Sequence, residues 1–211
     1  MIKERIIHQV WIGPKEPPEE WMQTWKDKHP TWNFIRWDND SIEKYPFINK
    51  DKIKDLMRRR LYHGASDVMG YQILHDFGGF IAKADTVCFN PIDELMNIEE
   101  DCFTAYEQER WWSLGKIHLL TLHLATIKGC SLMRVCTEKL KERIKRISQP
   151  WIATGNLFFT KLVESLHYPI KVYPSYTFSP TFWDGFKYED PGKIYAEHYW
   201  GTTKNLYKHK S

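Results

Sequence analysis

The sequence predicts an α/β fold in which a mixed or parallel central sheet is covered by helices on both faces. Short apolar segments typical of strands alternate along the chain with longer segments of helical periodicity. Glycine and proline turns separate these segments, and no repeat or low-complexity stretch interrupts them. Because 211 residues suffice for one sizeable core, we expect a single domain over residues 1–211.

The first elements follow from the spacing of apolar residues and from turn residues. Residues 5–12 predict a buried strand that ends at Gly13-Pro14, and residues 19–28 predict a short helix after a proline pair. Residues 32–37 alternate as a second strand does. Residues 38–41, with the sequence DNDS, then predict a turn and a helix cap.

The remainder of the chain continues the alternation. Helices are expected over residues 51–62 and 66–77, and Gly78-Gly79 ends the second of them. A third strand over residues 80–82 runs directly into Asp85. The later predicted elements are strands at residues 102–106, 172–173 and 193–198 and helices at residues 132–147 and 154–166. Sheets of this kind bind ligands beyond the carboxyl ends of their strands, and Asp85 lies at such a place.

The composition is that of a globular protein and gives no sign of a nucleic-acid partner. Hydrophobic residues make up 42% and charged residues 27% of the chain, and the net charge is +3. The basic run at residues 139–146 contains a glutamate and has helical spacing, which favours a solvated helix face over a nucleic-acid patch. The 10 tryptophans suit either a core or the flat faces of bases and sugars.

The cysteines and the apolar segments predict a cytoplasmic protein without a membrane anchor in this chain. Its four cysteines, at positions 88, 102, 130 and 136, have neither CxxC nor zinc-site spacing, which indicates free thiols. Residues 1–5 lead straight into a strand-like run rather than a signal peptide. The longest apolar stretch, residues 119–127, is interrupted by His123 and is too short to span a bilayer.

Residues 64–91 form the most informative segment, because they combine a helix, a glycine turn, a short strand and a carboxylate. Asp85 at the strand end could bind a divalent metal that bridges two phosphates of a nucleotide diphosphate. Taken alone, the same aspartate could equally belong to a solvated turn.

The motifs of this segment resemble those of the DXD-type sugar-transferase family, which includes a Golgi mannosyltransferase and glucosyltransferase domains of large toxins. The family pattern is Ser-Asp, a helix to Gly-Gly, an aliphatic strand and Asp-x-Asp. Here Ser66-Asp67 and Gly78-Gly79 match it, and Asp85 matches the second aspartate of the pair.

Both ends of the chain extend this resemblance. Residues 6–13, with the later Trp37-Asp38, are similar to the opening strand of the family and the element that follows it. Thr154-Gly155 resembles a Thr-Gly-Pro helix start, with Asn156 in place of proline. Residues 196–201 resemble the closing His-x-Trp element, and the length resembles the N-terminal glycosyltransferase domain of larger virus-encoded proteins, which would place the chain in a host cytoplasm.

The resemblance implies a glycosyltransferase A-type, Rossmann-like fold with a mixed central sheet. It also implies transfer, with retained anomeric configuration, from a nucleotide-diphosphate donor to a hydroxyl of a glycan or protein acceptor. A UDP-hexose such as UDP-glucose is the expected donor, with GDP-linked mannose second. Mn²⁺ or Mg²⁺ is the expected cofactor.

Individual roles are also implied by the resemblance. Asp67 and Asp85 are the expected catalytic residues, with Asp67 accepting hydrogen bonds from donor hydroxyls and Asp85 binding metal together with His198. The remaining expected contacts are Gln9, Val10 and Trp11 with the nucleotide base, Lys83 and Ala84 with the donor, and Tyr106 and Glu107 with the acceptor. Structural roles stay open for three of these residues: a core position for Trp11 or His198, and a cap or a salt bridge to residues 58–60 for Asp67.

Two residues depart from the family pattern. Gly70 stands where the family has an arginine, and Lys83 stands where it has the first aspartate of Asp-x-Asp. An ammonium near a cation is repelled by it, so we expect Lys83 to swing to solvent or to lower metal affinity. The alternative function is therefore a catalytically weak module that binds sugar nucleotides.

Overall fold

A computed structural model describes residues 1–109, 118–143, 149–189, 191–201, 204 and 206 of the chain. Eight strands lie in this part: β1 Ile6–Val10, β2 Asn33–Trp37, β3 Gly79–Ile81, β4 Thr86–Cys88, β5 Cys102–Ala105, β6 Leu124–Thr126, β7 Lys171–Tyr173 and β8 Ala196–His198. Its seven α-helices are α1 Glu19–Lys28, α2 Asn39–Lys44, α3 Lys50–Arg58, α4 Tyr62–Phe77, α5 Ser131–Arg143, α6 Pro150–Ala153 and α7 Asn156–Leu166.

Six of these strands form a mixed sheet in the order β2-β1-β3-β6-β5-β7, which confirms the predicted fold class. β1 runs parallel to β2 and β3, whereas β6 runs antiparallel to both β3 and β5. β4 and β8 form a separate antiparallel pair in which Thr86 lies opposite His198. This pair brings the C-terminal part of the chain to the loop that follows β3.

The two faces of the sheet pack against separate apolar clusters. One cluster lies under α3, α4, α5 and α7 and contains Ile53, Met69 and Phe159. The other contains Trp25 of α1 together with Phe80 of β3. Because side chains alternate across a strand, neighbouring residues of one strand enter different clusters.

A buried histidine ties β1 to the turn after α4. His8 Nε2 lies 2.9 Å from the carbonyl oxygen of Gly78, and Trp37 Nε1 donates to His8 Nδ1 at 3.2 Å. Burial lowers the pKa of His8 to about 4, although the Gly78 carbonyl acts in the opposite direction. The ring is therefore neutral and donates from Nε2.

Gly78-Gly79 ends α4 as predicted, and both glycines have backbone angles that other residues rarely adopt. Their φ values are +67° and +89°. A Cβ on Gly79 would lie 2.5 Å from the carbonyl oxygen of Ile6. Glycine is required here because β1 and β3 approach each other without room for a side chain.

Several predicted boundaries were wrong. The helix predicted over residues 51–62 ends at Arg58, because Arg60 takes a left-handed φ of +58°, and α4 already begins at Tyr62. β8 is shorter than predicted and starts at Ala196. The strands β4 and β6 were not predicted. Residues 144–147 of the predicted long helix lie outside the described residues.

Other predictions agree with the structure. Asp38 caps α2, and its side chain and that of Ser41 form a reciprocal capping box. The four cysteines are free and buried. Among the described residues, no helix is both long and apolar enough to cross a membrane.

Gly70, in the middle of α4, has space for a side chain, which makes its replacement a test of the packing. A Cβ at Gly70 would meet only Ile81 Cδ1, at 3.8 Å. We therefore expect Gly70→Ala to raise the free energy of unfolding by about 0.5–1 kcal/mol through helix propensity. Gly64→Ala is the matched control, because its Cβ would meet Pro150 Cβ at 3.2 Å and Thr154 Oγ1 at 3.3 Å. Urea unfolding of both variants checks this, and a destabilised Gly70→Ala would contradict it.

Candidate active site

A cavity of about 520 Å³ lies beyond the carboxyl ends of β1 and β3, where the sequence placed the site. Its walls include most of the predicted residues: Val10, Trp11, Asp67, Lys83, Ala84, Asp85, Glu107 and His198. A more open surface groove of about 660 Å³, lined by residues of α2 and α3, contains none of them. The first cavity is therefore the candidate active site.

Asp85 and His198 lie in direct contact in this cavity. Nε2 of His198 is 3.1 Å from Oδ1 of Asp85, and the other carboxylate oxygen accepts a hydrogen bond from the Gly201 amide at 3.1 Å. The pairing of β4 with β8 produces this contact, because it sets the end of β8 beside the start of β4. His198 is nearly buried, as the core alternative required, yet it also faces the cavity and the predicted metal ligand.

Opposing effects act on the charge of Asp85. Burial favours the neutral acid, but the charge and hydrogen bond of His198, followed by the charge of Lys83, lower the pKa of Asp85 below its ordinary value. The carboxylate is therefore ionised throughout the physiological range.

The donor atoms of Asp85 and His198 fit the requirements of a divalent cation. A carboxylate oxygen and an imidazole nitrogen 3.1 Å apart can both bind one ion, and such ions accept further oxygen ligands from a diphosphate. Within the described residues, no group of three or more His, Cys, Asp or Glu side chains surrounds a common point. A metal here would depend on the diphosphate and on water for its remaining ligands.

Asp67 is the second carboxylate of the cavity and lies within α4. Thr154 Oγ1 donates to its Oδ2 at 3.0 Å, and a Cβ on Gly155 would come equally close to that oxygen. Burial raises the pKa of Asp67 to about 7, against the opposing influence of Lys83 and of the Thr154 hydrogen bond. Asp67 therefore packs against the turn between α6 and α7, and its position inside α4 is not that of a helix cap.

Lys83 belongs to the cavity wall, and its expected movement to solvent or effect on metal affinity stays a prediction. Its side chain is half-buried, and its positive charge lowers the pKa of both Asp67 and Asp85. Gly70 lies outside the lining, and the room around it is consistent with a larger residue at this position in relatives. The charge that the family pattern supplies from an arginine is thus absent at position 70.

Two predicted residues do not line the cavity. Gln9 is fully buried, and neither Oε1 nor Nε2 of its amide has a hydrogen-bond partner among the residues that the structure describes. It follows from strand alternation that Gln9 and Val10 face opposite sides of β1, and only Val10 reaches the cavity. Tyr106 forms a bridge with Leu120 and packs on the core, whereas its neighbour Glu107 enters the cavity.

The cavity also contains residues that the sequence did not single out. The aromatic and basic ones among them are Lys15, Arg60, Tyr62, His63 and Trp151, and Trp200 of the closing His-x-Trp element lines the cavity as well. Arg60 and Trp200 both have positive φ, which is uncommon for such residues and often accompanies a functional site. No spacing rule could have found Lys15, Arg60, Tyr62, His63 or Trp151, because they come from loops and helix ends that meet only in the folded chain.

The raised pKa of Asp67 predicts that the folded state loses stability as this carboxyl group ionises. Because the folded protein holds this proton more tightly than the unfolded chain, stability is lost as pH rises from about 4 to 7. We expect Asp67→Asn, which can still accept the Thr154 hydrogen bond, to be more stable than wild type at pH 8 by up to about 4 kcal/mol. The difference should shrink towards pH 4.

Chemical unfolding at several pH values measures this effect. Glu138→Gln, on the exposed face of α5, is the control that changes a solvated carboxylate. A pH-independent difference between wild type and Asp67→Asn would show that Asp67 does not bind the proton in this range.

Comparisons with known proteins agree with this geometry. Residues 18–103 match the family described as glycosyltransferase sugar-binding region containing DXD motif. The chain is 31% identical over 99 residues to inositol phosphoceramide mannosyltransferase 3 of Schizosaccharomyces pombe. That alignment covers 44% of the chain and 27% of the relative, so the chain spans about a quarter of the relative's length.

The fold is also similar to that of a solved structure, the PaToxG glycosyltransferase. The TM-score is 0.62 with 13% identity, over 77% of this chain and 69% of that one. At this identity the similarity concerns the fold. The Ser66-Asp67, Gly78-Gly79 and Asp85 motifs all lie inside the matched family region. Residues 18–103 of the chain are therefore similar to the DXD-type glycosyltransferase family, and its fold is similar to that of a glycosyltransferase.

Proposed function

We propose that this protein transfers a sugar from a nucleotide-diphosphate donor, with UDP-hexose as the donor class, to an acceptor hydroxyl. The observation that carries the proposal is the Asp85–His198 pair in a cavity that also holds Asp67 and Lys83. An ionised carboxylate beside an imidazole suits a metal-bridged diphosphate, and the other two groups suit the sugar.

The donor would lie along the carboxyl ends of β1 and β3. Val10 and Trp11 would contact the base. Ala84, which lies between Lys83 and Asp85 in the chain and in the cavity wall, would contact the donor. Asp85 and His198 would hold Mn²⁺ or Mg²⁺, which would neutralise charge on the leaving diphosphate when bound. Asp67 would accept hydrogen bonds from sugar hydroxyls, and the neutral form present below pH 7 could also donate one.

The reaction breaks the bond between the anomeric carbon and the diphosphate oxygen and forms a bond from that carbon to the acceptor oxygen. The acceptor hydroxyl loses its proton to the departing diphosphate, so charge and atoms balance. We propose that transfer occurs on one face of the sugar with retained configuration. The family resemblance supports this part.

A second candidate function is a module that binds sugar nucleotides with little turnover. Lys83 favours it, because an ammonium replaces a carboxylate close to the proposed metal ligands. Calorimetry with UDP and UDP-glucose, with turnover measured in parallel, separates the two functions. Binding without transfer or donor hydrolysis would favour the module.

Asp85 provides the first test of the donor site. Wild-type protein with Mn²⁺ and a hundredfold excess of UDP over its dissociation constant should gain about 2.7 kcal/mol of stability. We expect Asp85→Ala and Asp85→Asn to lose the Mn²⁺-dependent part of this gain, because the diphosphate loses its charge bridge.

Asp85→Asn keeps the test interpretable if Asp85→Ala fails to fold, because asparagine can still accept the hydrogen bond from the Gly201 amide. His198→Ala should lower metal affinity by about 10–100-fold or more. Asp51→Asn, on the outer surface, is the control. Normal metal-dependent binding by both Asp85 variants would exclude the proposed site.

Lys83 provides the second test. We expect Lys83→Asp to strengthen Mn²⁺ binding in the presence of UDP by about tenfold or more and to raise transfer or donor hydrolysis. The reason is that like unit charges about 4 Å apart repel by about 4 kcal/mol at an effective dielectric constant of about 20.

Lys15→Asp is the matched control, because Lys15 lies in the same cavity wall and the change of charge is identical. An equal effect in both variants would indicate that the net charge of the cavity, and not a local repulsion between Lys83 and the metal ion, sets the metal affinity. Weaker metal binding and lower activity in Lys83→Asp would show that Lys83 is a working part of the site.

A further inference from the structure

The turn between α6 and α7 presents two side chains of different chemistry to the cavity. Trp151 on α6 lines the cavity while 51% of its surface stays exposed. Asn156, the first residue of α7, donates from Nδ2 to Oε2 of Glu107 at 2.7 Å. A flat apolar ring and an oriented carboxylate therefore belong to the same cavity.

Buried contacts hold this turn against the proposed donor site. The hydroxyl of Tyr71 donates to the Thr154 carbonyl at 2.8 Å, and Thr154 Oγ1 in turn donates to Asp67. Gly155 has no room for a side chain, because a Cβ there would lie 3.0 Å from both Trp151 Cα and Asp67 Oδ2. The position of Trp151 relative to Asp67 is thus fixed by packing.

An exposed tryptophan in a cavity wall is a candidate contact for a ligand. Burying a large aromatic surface is a main source of binding energy, and this ring leaves about half of its surface uncovered. The face of the Trp151 ring offers no hydrogen bond to an amide. The Glu107 carboxylate in the same cavity accepts hydrogen bonds and donates none. Together they match a ligand with an apolar C–H face and hydroxyl groups around its edge.

We propose that Trp151 and Glu107, the latter oriented by Asn156, form an acceptor subsite for a cyclic polyol. The proposal rests on the proposed sugar transfer and adds the chemical class of the acceptor. The ring of the acceptor would stack on Trp151, and its hydroxyls would donate to Glu107. A terminal sugar of a glycan and an inositol headgroup share this chemistry, and the carboxylate would disfavour an acidic group at this position.

Acceptor kinetics test this subsite. A wild-type enzyme given a donor that stabilises it should transfer to methyl mannoside, methyl galactoside or myo-inositol, and the preferred compound distinguishes the glycan from the inositol source. Trp151→Ala should raise the KM for that acceptor by about tenfold, with a smaller change in kcat, because stacking energy is lost. Trp151→Phe should retain most of the affinity. Glu107→Gln should also raise the KM.

Trp183→Ala is the matched control, because Trp183 is similarly exposed, at 48%, and does not line the cavity. An unchanged acceptor KM in Trp151→Ala overturns the proposal. So does transfer to serine and threonine peptides with none to the polyols, or donor binding with transfer to no polyol. Failure of every nucleotide sugar to bind the wild type would instead refute the proposed function itself.

Discussion

The antiparallel pairing of β4 with β8 is the constraint on which the site depends. It sets His198 beside Asp85 and lets the Gly201 amide hold the second carboxylate oxygen. Without this pairing, a buried carboxylate would lie in the cavity without its partner, which is strongly unfavourable. The short two-stranded sheet therefore contributes Cys88 and Ala196 to the core and also sets the electrostatics of the cavity.

A second carboxylate organises the opposite wall of the cavity. Asp67 is half-buried against the turn between α6 and α7, where Thr154 is its hydrogen-bond donor and a Cβ on Gly155 would lie 3.0 Å from its Oδ2. This contact makes the protonation of Asp67 a matter of stability as well as of the proposed substrate recognition. It also couples the proposed donor and acceptor sides through one packed turn.

Lys83 connects these two walls electrostatically. Its charge favours the ionised forms of both Asp67 and Asp85, so the cavity contains a cation in addition to two carboxylates, where the family pattern has an acidic pair at residues 83 and 85. Each carboxylate gains from the ammonium, while a metal ion would be repelled by it. In the proposed function, the balance between these two effects would distinguish an active enzyme from a binding module.

The sequence by itself determined the fold class and the glycine turn after α4, because these follow from periodicity and turn residues. Its ordered motifs, through a family resemblance, also indicated Asp67, Asp85 and His198, which the structure brings to one cavity. Only the tertiary structure decided that Gln9 turns into the core, since a strand's neighbours face opposite sides and the sequence does not say which side is the cavity. The same holds for Trp151, whose role depends on contacts between segments far apart in the chain. Such contacts are set by packing and carry no local signal in the sequence.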